Sequence, residues 1–115
     1  MGNKKFYTLW AAALNEMDRE IFVAEWSTSI IWGEPETLED DKMISIAEYC
    51  GNLWDAAHMT IREIKDHSNM SQIKFAERFC IPRRTVEDWC AGKRECPDYT
   101  RLMMMEALSI VSRTT

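Results

Sequence analysis

Apolar residues recur at helical spacing along most of the chain, and the pattern predicts an all-α protein of about five to seven helices. Residues 4–16 place Phe6, Leu9, Trp10, Ala13 and Leu14 on one side of a first helix. Asp18 is placed to cap a second, predicted from Arg19 to about Trp32 with Ile21, Phe22, Val23, Trp26, Ile30 and Ile31 as its apolar residues. β-Branched density around Ile21–Val23 and Thr28–Ile31 pulls this segment towards extended backbone. Gly33 to Glu36 breaks it, and an acidic connector runs from Glu34 to Asp41. Met43 to His58 then follows the amphipathic template through Met43, Ile46, Ala47, Cys50, Leu53, Trp54 and Ala57. Gly51 inside that helix costs about 1 kcal/mol relative to Ala, which implies a packing reason for it.

The second half continues in shorter helices. Thr60-Ile61-Arg62-Glu63 is a capping box that opens a helix to about His67, with Ile61 and Ile64 facing inward. Ser71 is the candidate N-cap of the next, whose apolar face is Ile73, Phe75, Ala76 and Phe79. Cys80-Ile81 makes a tight joint, and Pro82 supplies a fixed φ where another helix begins, with Val86, Trp89 and Cys90 at i, i+3, i+4 spacing. After a turn from Ala91 to Pro97, Asp98 is expected to cap a last helix from Tyr99 to about Ser112, with Tyr99, Leu102, Met103, Met105, Ala107, Leu108 and Ile110 as its apolar residues. Two short helices around a tight joint are the pattern of a helix-turn-helix.

On these residues the stretch resembles the Cro/phage-repressor type of helix-turn-helix, the XRE family. That family carries Gln at the start of its second helix, a small residue four positions on, and hydrophobics around the turn. Gln72, Ala76, Phe75, Phe79, Ile81, Val86 and Trp89 match, with Gly92-Lys93 after the recognition helix and Pro97 before the next. The resemblance covers roughly residues 59–111. It departs at Cys80, where the family often has Gly. A non-Gly residue at positive φ costs about 1 kcal/mol, so a distorted turn or another Cys80 conformation is expected. The resemblance implies a DNA-binding domain with a recognition helix over about 82–91, often carried by phages and other mobile elements.

Charge sharpens this division. Residues 1–58 carry four Lys and Arg against eleven Asp and Glu, and residues 59–115 carry ten against eight, so −7 and +2 make up the total of −5. The organisation expected is an acidic helical extension, 1–58, for dimerisation or partner binding, followed by a DNA-binding domain, 59–115. No run has the length of a membrane span, and Met1-Gly2-Asn3-Lys4-Lys5 leads into no signal-peptide core, so a cytoplasmic protein is expected. The four cysteines, Cys50, Cys80, Cys90 and Cys96, form no C-x-x-C pair, and His58 and His67 have no finger-like spacing. Free structural thiols are expected rather than a metal site, with Cys80 and Cys90 on the core side. There is no Gly-rich phosphate loop, nucleophile elbow or carboxylate pair at catalytic spacing, so neither an enzyme nor a cofactor is expected.

Arg83 and Arg84 are the sharpest candidates for function. They occupy the first turn of a helix, where the macrodipole disfavours cations, whereas a recognition helix gains by aiming Arg from its N-terminus at guanine. The competing reading is a solvated face with i, i+4 pairs Arg83–Glu87 and Arg84–Asp88. Glu87 and Asp88, further along that face, accept from cytosine N4 or repel phosphates. Lys74, Thr85, Lys93 and Arg94 are candidate phosphate contacts, and the resemblance implies that Gln72 binds a phosphate or clamps the recognition helix. Trp89, Phe75 and Phe79 are expected in the core. The Leu102-Met103-Met104-Met105 run is too dense for one stripe, and a Met left off the core would suit a dimer contact.

Together these features predict a sequence-specific transcriptional regulator that binds double-stranded DNA, as a homodimer on a two-fold operator. The alternative is a protein-binding inhibitor on a helix-turn-helix scaffold, such as an anti-CRISPR or DNA-mimic protein of a mobile element. It would use the acidic N-terminal half on a protein partner with a basic channel. Charge reversal separates the two: Arg83 and Arg84 matter for the regulator, Glu36, Glu39, Asp40 and Asp41 for the inhibitor.

Overall fold

The computed structural model describes residues 3–112, the side chains of Asn3 and Pro35 excepted. Among these residues there are seven α-helices and no strand: α1 Asn3–Asn15, α2 Arg19–Ser27, α3 Asp40–Ala57, α4 Ile61–Ser68, α5 Gln72–Phe79, α6 Arg83–Cys90 and α7 Asp98–Ala107. No described helix is long and apolar enough to cross a membrane. The helices fall into two compact units, residues 3–58 with Ser112, and Met59–Val111.

In the first unit, α1 buries Phe6, Leu9, Trp10 and Ala13, α2 buries Phe22, and α3 buries Ile46, Cys50, Leu53, Ala56 and Ala57. Asp18 caps α2 as the sequence predicts, its Oδ1 accepting from the backbone N–H of Glu20 and Ile21 at 2.9 and 3.2 Å. The helix does not run on to Trp32. It stops at Ser27, where Thr28 Oγ1 donates to the Ala24 carbonyl at 2.9 Å. Ser29 Oγ then accepts from Ile31 N–H and opens a separate 3-10 turn, Ile30–Trp32. Hydroxyls beside the backbone offer it partners other than the helical ladder, and two in succession end the helix. Trp32 Nε1 folds back to the Trp26 carbonyl at 2.7 Å, and Gly33, at φ +119°, ends the turn.

Helix α3 starts at Asp40, ahead of the expected Met43, with Asp40 and Asp41 in the turn where the macrodipole favours carboxylates. Met43 is exposed rather than packed. The packing reason implied for Gly51 is Arg19. A Cβ at Gly51 would sit 2.5 Å from Arg19 Nη2. The guanidinium lies across the helix there and forks onto Asp55, with Nε–Oδ1 at 2.8 Å and Nη2–Oδ2 at 3.2 Å. At the end of α3, Trp54 Nε1 donates to the Glu16 carbonyl at 2.8 Å. His58 stacks on Trp54 with Nε2 2.7 Å from the Ala13 carbonyl, so Nε2 carries the proton and the imidazole serves the fold.

In the second unit both halves of the Thr60–Glu63 capping box are made. The core comprises Ile61 and Ile64 of α4, Phe75 and Ala76 of α5, Val86 of α6, and Leu102, Met104 and Met105 of α7. Several expectations change here. Ile73, placed on the apolar face of α5 by its spacing, is 46% exposed. Asp98 is the first residue of α7 rather than its cap, and it pairs with buried Arg101 at 2.7 Å. Helix α7 ends at Ala107 instead of near Ser112. Ser109 takes the left-handed conformation, and Ser109 and Ile110 N–H reach back to the carbonyls of Glu106 and Met105. That is a Schellman closure. Tyr99 and Met103, placed on the apolar face of α7 by their spacing, are exposed, and Met104, left off that face, is buried.

Helix α5 closes the same way. Cys80 sits at φ 55°, ψ 44°, with Cys80 N–H on the Glu77 carbonyl and Ile81 N–H on the Ala76 carbonyl at 3.0 Å. The turn is therefore undistorted, and Cys80 occupies the left-handed position that favours glycine. The core-side placement expected for Cys80 does not hold, since the residue is exposed, whereas Cys50 is fully buried. Burial pushes the thiols of Cys50 and Cys96 up to about 11.

Two outcomes follow from this geometry. Cys80→Gly is expected to raise the unfolding free energy by about 0.5–1 kcal/mol, because it relieves the left-handed Cβ and loses no buried contact; Cys80→Val is expected to lower it. Urea unfolding of both variants checks this. With a maleimide at pH 8, Cys80 should be labelled first. Cys50 and Cys96, with about one thiolate in a thousand at that pH, should stay unlabelled until the chain is unfolded.

Candidate nucleic-acid interface

The candidate residues of the second unit are positioned by how α5 and α6 start and stop. Ser71 Oγ accepts from Lys74 N–H at 3.2 Å and fixes the first turn of α5. The closure at Cys80 stops that helix, and Pro82, with φ −54°, leads into α6. Val86 is the buried anchor of α6, which leaves Arg83 and Arg84 on the outside of its first turn.

At its other end α6 is closed by Gly92, at φ +77°, which lets the chain fold back on the helix. Gly92 N–H bonds the Trp89 carbonyl, and Lys93 and Arg94 N–H both bond the Asp88 carbonyl, at 2.9 and 3.4 Å. The reversal returns the Arg94 side chain to α6. Its Nη2 donates to Thr85 Oγ1 at 3.2 Å, and its Nε lies 3.6 Å from Asp88 Oδ2. Asp88 Oδ1 lies 3.7 Å from Arg84 Nε, so one carboxylate stands between two guanidiniums. Arg83 forms a separate, closer pair, Nε to Glu87 Oε1 at 2.9 Å.

The structure thus brings Arg84, Thr85, Asp88 and Arg94 together, with Lys93 joined through its backbone, and sets Arg83–Glu87 beside them on the same helix. The i, i+4 pairs expected from the sequence are both present. Asp88 differs from its expected place on an open face: its side chain is only 19% exposed, and both its oxygens are engaged. It is therefore a poor acceptor for a base. Sequence reasoning missed this role because the partner Arg94 is outside the helix; the signal that could have found it is Gly92, whose positive φ reverses the chain there.

Lys74 and Gln72 are not part of this cluster. Lys74 is exposed on α5, 3.8 Å from Glu77. Gln72, the first residue of α5, is half-buried beside the Cys90 thiol at the end of α6. Burial raises the pKa of that thiol, against the pull of Lys65, Arg62 and the Gln72 side chain. Residues 72–94 hold six cations, Lys74, Arg78, Arg83, Arg84, Lys93 and Arg94, against three carboxylates, Glu77, Glu87 and Asp88. The segment is positive inside a chain that is negative as a whole.

Removing the cap that sets α5 should be felt in stability. Ser71→Ala is expected to cost about 1 kcal/mol, read as a lower urea midpoint at unchanged m-value.

The chain matches no protein-family model, and no curated protein or solved structure is similar to it.

Proposed function

We propose that the chain is a sequence-specific DNA-binding regulator that places α6 in the major groove of a duplex. The observation that carries this reading is the pair of exposed arginines opening α6, with Arg83 64% and Arg84 82% exposed at their side chains. A helix N-terminus disfavours cations by a few tenths of a kcal/mol each, and neither arginine is needed to cover the core. A duplex gives both a use, since an Arg projected from the first turn of a helix reaches base edges or phosphates. The eight-residue α6 is of a length to lie in the groove, and Lys93 and Arg94 follow it where a backbone contact would fall. As a homodimer, the protein would read a two-fold site through two copies of α6.

The second reading, an inhibitor that docks its acidic N-terminal half on a basic protein channel, is favoured by one observation. Glu36, Glu39, Asp40 and Asp41 are all exposed, and among the described residues no ion pair occupies them.

Selection of genomic fragments on the purified full chain, followed by titration of the enriched duplex at several salt concentrations, tests the first reading. The expected result is an enriched palindrome, a steep fall of affinity with salt, and loss of both preference and affinity in the Arg83→Ala/Arg84→Ala double variant. A chain that enriches no sequence and binds no duplex at low salt overturns it. Protein capture that is abolished by charge reversal at Glu36, Glu39, Asp40 and Asp41 would then establish the second.

A further inference from the structure

We infer that the two arginines opening α6 do different work: Arg84 joins Thr85 and Arg94 in a phosphate-binding cradle built on Asp88, while Arg83, held by Glu87, is the residue that reads a base. This rests on the duplex-binding reading and divides the labour within that site.

The division comes from charge. Arg83 and Glu87 form a one-to-one pair at 2.9 Å and cancel. Arg84 and Arg94 share the single carboxylate of Asp88, one oxygen each at 3.7 and 3.6 Å, so that cluster keeps one uncompensated positive charge. Attraction to a phosphodiester follows uncompensated charge and does not depend on the sequence of the duplex. The Asp88 side chain lies inward at 19% exposure, whereas the side chains of Arg84 and Arg94 are 82% and 57% exposed. An approaching anion therefore meets the two forks, with the Thr85 hydroxyl beside Arg94 as a further donor. Asp88 is the positioning residue: its carboxylate gathers the two side chains, and its carbonyl holds the Lys93 and Arg94 N–H groups that return the turn to the helix.

Arg83 has the opposite character. Its Nε is taken by Glu87, which fixes the direction of the fork along the helix and leaves both terminal nitrogens to donate. Two parallel donors match guanine O6 and N7. A neutral pair adds little to the affinity for any duplex, so what Arg83 contributes is preference. Lysine supplies a point charge but no fork, so it can replace arginine on a phosphate and cannot do so in a bidentate base contact.

Binding is measured for the wild-type chain, Arg83→Ala, Arg83→Lys, Arg84→Ala, Arg84→Lys and Arg94→Ala, on the enriched duplex and on a scrambled duplex of the same composition, across a salt series. Arg84→Ala and Arg94→Ala should weaken both duplexes by the same factor and each reduce the slope of log affinity against log salt by about 1. Arg84→Lys should restore binding and slope. Arg83→Ala and Arg83→Lys should both cut the preference for the enriched duplex by about tenfold or more, and Arg83→Lys, which keeps Glu87 compensated, should leave the slope little changed. Loss of preference in Arg84→Lys, or its retention in Arg83→Lys, overturns the assignment while leaving duplex binding in place. A wild-type chain that binds neither duplex at low salt overturns the duplex-binding reading, and the assignment with it.

Discussion

The second unit depends on where α5 stops. Helices α5 and α6 have eight residues each, too few to hold a helix in water alone, so their existence rests on the core that Phe75, Ala76 and Val86 build. Those residues meet only if the chain changes direction between Phe79 and Arg83. A single left-handed residue, Cys80, does this, and the Ile81 N–H on the Ala76 carbonyl locks it. Pro82 follows, with no N–H to satisfy. Everything proposed for the outer face of α6 is placed by that reversal, because it fixes which side of α6 Val86 turns inward.

On the proposed duplex reading, the charge on that face favours selectivity over strength. Each arginine in the first turn of α6 has a carboxylate one turn on. Such exposed pairs add little to stability, but they restrict where a long side chain points. They also reduce the field that would draw the chain to any polyanion, and the whole chain is acidic as well. On the proposed duplex reading, a protein built this way would give up non-specific affinity, and that would widen the gap between what it binds and what it ignores.

What could be read from the sequence was local. The Thr60–Glu63 box, the caps at Asp18 and Ser71 and the two ion pairs of α6 each join residues within a turn of one another, so their spacing alone specifies them. The Cro-type motif was suggested by residue classes at fixed spacing, and the structure places two short helices and a tight joint along that stretch. What could not be read depended on tertiary neighbours or on unsignalled stops. Ile73 fits the apolar period of α5, but among the described residues it is left 46% exposed. Met103 and Met104 are indistinguishable by composition, and only packing decides which is buried. Helix α7 ends on a left-handed Ser109, where Gly or Asn would have announced the stop. The part of Asp88 in joining Arg84 to Arg94 was hidden because it crosses from a helix to the turn beyond it. For Gly51 the sequence implied that something lay close, and only the structure identified Arg19.

Arg101 carries a consequence for how the chain can be divided. It is a charged residue only 9% exposed, and one of its terminal nitrogens donates to the Met59 carbonyl at 2.7 Å, joining positions 42 apart. The hydrogen bond ties α7 to the residue that precedes the Thr60 cap. A fragment that begins at Met59 keeps that carbonyl. One trimmed two residues further, to the first residue of α4, loses both it and the capping threonine, and leaves a buried guanidinium one acceptor short. The second unit thus includes a residue ahead of its first helix that one arginine of its last helix reaches back to hold.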